Sequence, residues 1–114
     1  MSFNYHNRTF RSVNNTGNGE VDAETTFHYR QAGGLVWATY EGGRVVYGNL
    51  LAKVDEAGRL DMRYQHLNVH GELMTGQCLS VPERLPDGRI RLHETWQWTS
   101  GDRSSGQSII EEVK

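Results

Sequence analysis

Several features that define common protein classes are scarce in this chain of 114 residues. Its one cysteine, Cys78, rules out an intramolecular disulfide and favours a cytoplasmic location. No run of roughly eighteen apolar residues is present and the first residues lack the apolar core of a secretory signal, so we expect neither membrane insertion nor export by that route. The net charge of −2 comes from interspersed charges of both signs, which argues against a nucleic-acid partner.

Helical periodicity is also missing, because no window of a dozen residues repeats its apolar positions every 3.6 residues. At most one helical turn is therefore expected. Thirteen glycines, two prolines and many Thr, Tyr, Trp and Val residues favour strands joined by turns. The length predicts one domain over residues 1–114.

Eight strands are predicted where apolar and polar residues alternate between turn signals. They run from Arg8 to Val13, Glu24 to Gln31, Leu35 to Glu41, Arg44 to Val54, Leu60 to Leu67, Leu73 to Val81, Gly88 to Trp98 and Ser104 to Glu112. Pro82 is expected to end the sixth strand, and Gly48 to mark a bulge, a bend or a close backbone approach.

Short turns between consecutive strands predict an all-β fold, an antiparallel up-and-down meander. Closing the meander into an eight-stranded barrel removes both sheet edges, so the barrel is preferred. A two-sheet β-sandwich is the alternative.

The most regular alternation lies between Gly88 and Trp98. Leu92, Trp96 and Trp98 share one face of this strand, which should therefore look into the core, and Glu94 interrupts their row. A buried carboxyl group is costly unless it has a cation, a hydrogen-bond network or a proton. An arginine such as Arg63 or a neighbouring tyrosine hydroxyl could supply the partner.

Amphipathic side chains at inward-facing positions form the candidate ligand site. A packed core whose Tyr and Trp heads reach the barrel rim is the plainer interpretation of the same residues. A cavity with aromatic walls and one carboxylate would instead suit a small cationic or hydroxyl-bearing molecule. The candidate residues are Tyr29, Tyr40, Tyr64, His66, Glu94, Trp96 and Trp98.

Motifs for other chemistry are not found in the sequence. The histidines and Cys78 lack the spacing of a zinc site, and no nucleophile elbow or phosphate-binding glycine loop precedes a helix. We therefore predict no metal, no cofactor and no catalytic residue. Cys78 is interpreted as a small strand residue.

Five segments resemble a family of small bacterial proteins that often carry the automatic name N-acetylglutamate synthase. The resemblance spans nearly the whole chain and implies a barrel similar to those of avidin and the lipocalins, the calycin-like architecture. Acetyltransferases of that name use a larger α/β domain with a glycine-rich turn entering a helix, and this sequence offers neither. The segments are Gly19-Glu20-Val21, Thr26-Phe27-His28-Tyr29, the stretch from Val36 to Gly43, Tyr64-Gln65-His66 and the stretch from Trp96 to Asp102.

Three functions follow from these observations. The first is a non-enzymatic barrel that binds a small molecule. The second is an enzyme, either the acetyltransferase of the family name or a barrel isomerase that uses Glu94 as acid or base. The third is a protein-interaction module, such as a homodimer, with Trp37 or Trp98 exposed at its interface.

Overall fold

A computed structural model describes residues 3–113 and shows one sheet of eight antiparallel strands. Each strand pairs with the next, and β1 also pairs with β8, so the sheet closes into a barrel. The predicted all-β barrel is confirmed and the β-sandwich alternative is wrong. The strands are β1 (Arg8–Asn15), β2 (Thr26–Ala32), β3 (Leu35–Gly42), β4 (Val45–Val54), β5 (Leu60–Asn68), β6 (Leu73–Arg84), β7 (Ile90–Trp98) and β8 (Ser105–Glu112).

Alternation along each strand builds the core, because successive side chains point to opposite faces of the sheet. Phe10, Val36, Leu60, Leu92 and Ile110 come from five different strands, and all are fully buried inside the barrel. Each such side chain contributes roughly 1.5 to 3 kcal/mol through burial alone. Among residues 3–113 no helix is long and apolar enough to span a membrane.

The two ends of the barrel are closed differently. At the plugged end, the amino-terminal segment crosses the opening, and the fully buried Tyr5 donates its hydroxyl to the Gly58 carbonyl at 2.5 Å. At the opposite end, here called the loop end, β1 is joined to β2 by the longest connection of the described chain, residues 16–25. The candidate site residues near the ends of β3, β5 and β7 therefore lie toward the loop end.

Strand β6 corrects the prediction that Pro82 ends it, since the strand continues to Arg84. Pairing between β5 and β6 stops where Leu60 lies opposite Ser80, so β7 is the neighbour of β6 beyond that point. A proline, which has no N–H to donate, is tolerated where one side of a strand is unpaired. Strand β1 also runs two residues past its predicted end, to Asn15.

Candidate ligand-binding site

A cavity of about 50 Å³ lies inside the barrel between the strands and the β1–β2 loop. Every strand contributes at least one side chain to its wall, and the loop contributes Glu20 and Val21. Its walls are mainly apolar and aromatic, and its polar groups are few. This combination of an apolar wall and a few convergent polar groups is typical of small-molecule sites.

Glu94 is a carboxyl group of the cavity wall. It lies on β7, four residues before the strand ends at Trp98 near the loop end of the barrel. Its inward position, predicted from the alternation of β7, is confirmed. The cross-strand neighbours of Glu94 are Ser80 on β6 and Ser108 on β8. The Ser80 hydroxyl donates to Oε2 at 3.1 Å and the Ser108 hydroxyl donates to Oε1 at 2.9 Å.

Neither partner that the sequence suggested for Glu94 is present. Arg63 points away from the barrel interior and its guanidinium pairs with Asp61 at 2.8 Å. No lysine or arginine of residues 3–113 is buried, so two neutral hydroxyl groups are what the protein offers this carboxyl group. Burial raises the pKa of Glu94 from 4.5 to about 7, although the two serine hydrogen bonds act in the opposite direction. Glu94 is nevertheless partly accessible, and it lines the cavity.

Aromatic rings form the wall of the cavity beside Glu94. Trp96 and Trp98 meet edge to face with ring centroids 5.6 Å apart, and Tyr64 meets Trp98 in the same way at 5.8 Å. Glycines on neighbouring strands make room for these rings: a Cβ atom on Gly76 would lie 2.3 Å from the Tyr64 hydroxyl oxygen, and one on Gly106 would lie 2.5 Å from the Trp96 ring. Three aromatic rings thus share the cavity wall with one carboxyl group.

A second polar cluster connects the cavity to the β1–β2 loop through His66, which is buried on β5. Its Nε2 lies 2.7 Å from the Glu20 carboxylate and its Nδ1 lies 2.9 Å from the Tyr40 hydroxyl. Since the carboxylate can only accept, Nε2 carries the proton, and in the neutral ring Nδ1 accepts from Tyr40. Asn68 also donates to Glu20, at 3.0 Å, so Glu20 fastens the loop to the barrel.

Trp96 and Trp98 also hydrogen-bond to the end of β1 and to the β1–β2 loop. Trp96 donates its indole N–H to the Asn15 side chain at 3.2 Å, and Trp98 donates to the Asn18 carbonyl at 3.1 Å. Trp98 is therefore buried, at 5% exposure, and cannot supply the exposed interface that was one prediction for it. Trp37 does lie on the outer face of the barrel.

Tyr29 belongs to a deeper part of the interior than the other candidates. It does not line the cavity and packs against the ring of Phe10, with 4.8 Å between centroids. Its hydroxyl is buried and has no hydrogen-bond partner within residues 3–113. Burial, and then the Glu94 charge, raise the pKa of Tyr29.

Six of the seven predicted site residues thus line the cavity, and their role in binding stays a prediction: Tyr40, Tyr64, His66, Glu94, Trp96 and Trp98. Cys78, interpreted as a small strand residue, is buried on the cavity wall with its thiol 3.6 Å from the Ser80 hydroxyl. The structure adds three residues that the sequence did not predict as part of the site: Glu20, Ser80 and Ser108. Within the described chain, no group of three or more His, Cys, Asp or Glu residues is arranged to hold a metal ion.

A closed up-and-down barrel of eight strands with a cavity at one end defines a class whose interior is either packed or holds one small ligand. Comparison with known families agrees with this fold, since the family model described as Avidin-like protein matches residues 3–113. The chain therefore belongs to the avidin-like protein family. Searches of curated proteins and of solved structures each found no match. The avidin-like architecture implied by the resemblance is confirmed, and no finding supports the N-acetylglutamate synthase name.

Proposed function

We propose that this protein binds a small organic molecule in the cavity at the loop end of the barrel, without catalysing a reaction on it. The observation that carries the proposal is Glu94. A carboxyl group in the interior of a barrel costs stability, and no lysine or arginine of residues 3–113 is buried beside this one to offset the cost. A bound ligand that interacts with the carboxyl group would offset this cost.

The surrounding wall supports the same function. Met62, Trp96 and Trp98 present apolar and aromatic surface to the cavity, while Ser108 and Glu94 present polar atoms. The apolar surface would provide binding energy and the polar atoms would fix the orientation of the ligand. Because the cavity volume is about 50 Å³, the cavity would hold only a small part of the ligand, and the remainder would extend toward the β1–β2 loop.

Thermal unfolding with a library of small metabolites, biotin included, tests this function. We expect at least one compound to raise the melting temperature, by an amount that grows with concentration as RT ln(1 + [L]/Kd). The variant Cys78→Leu places two further heavy atoms in the cavity and should abolish the shift, because the ligand and the leucine would occupy the same space.

Leu79→Met is the matched control for this experiment. Leu79 follows Cys78 on β6 but is 50% exposed on the outer face, so the ligand-induced shift should be unchanged. A library in which no compound stabilises the wild-type protein would argue for a merely structural interior. A shift that persists in full in Cys78→Leu would place the binding elsewhere on the molecule.

A further inference from the structure

We infer that the ligand carries a small protonated amine, whose ammonium group lies against Glu94 and the aromatic wall. This inference rests on the proposed binding function and names the chemical class of the ligand. Three features of the interior carry it: the charges of the cavity wall, the aromatic rings of that wall, and the titratable groups around Glu94.

The charges around the cavity favour a cation. Among the described residues, its wall includes two carboxyl groups, Glu94 and Glu20, and one histidine, His66, but no lysine or arginine. Glu20 already accepts hydrogen bonds from His66 and Asn68, whereas within residues 3–113 Glu94 accepts from the hydroxyls of Ser80 and Ser108 alone. An anionic ligand would meet like charge here. A cation would complete the ion pair that the protein leaves open at Glu94.

The rings near Glu94 strengthen this preference. Tyr64 and Trp96 each contact Trp98 edge to face, and all three rings line the cavity. The negative face of an aromatic ring attracts a cation, and tryptophan does so most strongly. A neutral ligand of the same shape would gain the apolar contact but not this attraction.

The titratable groups around Glu94 are also compatible with a cation. Tyr29 lies outside the cavity wall, and, after burial itself, Glu94 is the charged group that most raises its pKa. Beyond the effect of burial, the Glu94 charge also raises the pKa of three other groups, and each of them is neutral when protonated. These groups are Tyr40, Tyr64 and Cys78. An ammonium group, which has three donors, would therefore meet acceptors and, among the described residues, no lysine or arginine side chain in the cavity wall.

Titration with three matched compounds, followed by tryptophan fluorescence at pH 8, tests the inference. Benzylamine is a cation, benzyl alcohol is its neutral counterpart and benzoate is an anion of similar size. We expect benzylamine to bind at least about tenfold more tightly than benzyl alcohol, and benzoate not to bind. In Glu94→Gln the affinity for benzylamine should fall to that of the alcohol, whereas Glu41→Gln, on the exposed side of β3, should leave it unchanged.

Equal binding of benzyl alcohol, tighter binding of benzoate or undiminished binding of benzylamine by Glu94→Gln would each overturn the amine assignment. Failure of all three compounds to bind would overturn it as well. The proposed function is judged separately, because a neutral or anionic compound whose binding is abolished by Cys78→Leu would still establish the cavity as a ligand site.

Discussion

Glu94→Gln should stabilise this protein relative to the wild type as the pH rises from 5 to 8. Between pH 4.5 and 7 the unfolded chain has lost the Glu94 proton while the folded chain keeps it, since the pKa is about 7 in the fold. Raising the pH through this window therefore costs the wild type stability, by about 2 kcal/mol between pH 5 and 8. Glutamine does not titrate and can still accept from Ser80 or Ser108, so the variant avoids this loss.

Urea unfolding of both proteins at the two pH values measures the effect. At pH 5 the two should differ by less than about 1 kcal/mol, because a protonated carboxyl group and an amide have similar size and polarity. Glu41→Gln provides the control, since its carboxyl group is exposed and its substitution should give no comparable pH-dependent difference. A variant destabilised by several kcal/mol at pH 8, as when a buried ion pair loses one partner, would mean that Glu94 has a cation after all.

Gly48→Ala should be strongly destabilising. The sequence suggested a bulge, a bend or a close approach at this glycine, and the structure shows the close approach: an added Cβ atom would lie 2.5 Å from the Tyr40 ring and 2.7 Å from the His66 Cβ. The Tyr40 ring cannot easily move away, because it stacks on Phe27 with 4.9 Å between ring centroids and its hydroxyl is hydrogen-bonded to His66. Overpacking of this kind costs about 3 kcal/mol.

Denaturant unfolding of Gly48→Ala beside Gly34→Ala gives the comparison. An added Cβ atom on Gly34 meets nothing within 4 Å, so that substitution should change stability by less than about 1 kcal/mol. Combining Gly48→Ala with Tyr40→Leu should recover part of the loss, since the clashing ring is then absent. Strictly additive losses would show that Gly48 is required for another reason.

Alternation along single strands predicts the eight strands and most of the buried interior, whereas the barrel itself is predicted from the short turns and the removal of sheet edges. On β7, Trp96 and Trp98 share the parity of Leu92, and all three are buried. The same rule already places Arg63 outside, because its neighbours Met62 and Tyr64 have the inward parity of β5. The prediction that Arg63 is a partner of Glu94 is therefore wrong, and the alternation of β5 alone is enough to exclude it.

Other parts of the site depend on information that one strand does not carry. Ser80 and Ser108 meet Glu94 through the register of three strands, and register is set by turn geometry and by the whole buried face. Glu20 lies in a loop without periodicity, and its contact with His66 spans 46 positions of the chain. Only the closed barrel brings these groups together.

The titration of the Glu94 carboxyl group itself is the most direct test of the site. Carbon-13 NMR of glutamate-labelled protein, with the Glu94 signal assigned from Glu94→Gln, can follow this group with and without benzylamine. We expect a midpoint of about 7 in the free protein, moving lower when the amine is bound, because a nearby positive charge favours the ionised carboxylate. A midpoint near 4.5 in the free protein, or one that saturating benzylamine does not move, would contradict a ligand site built on Glu94.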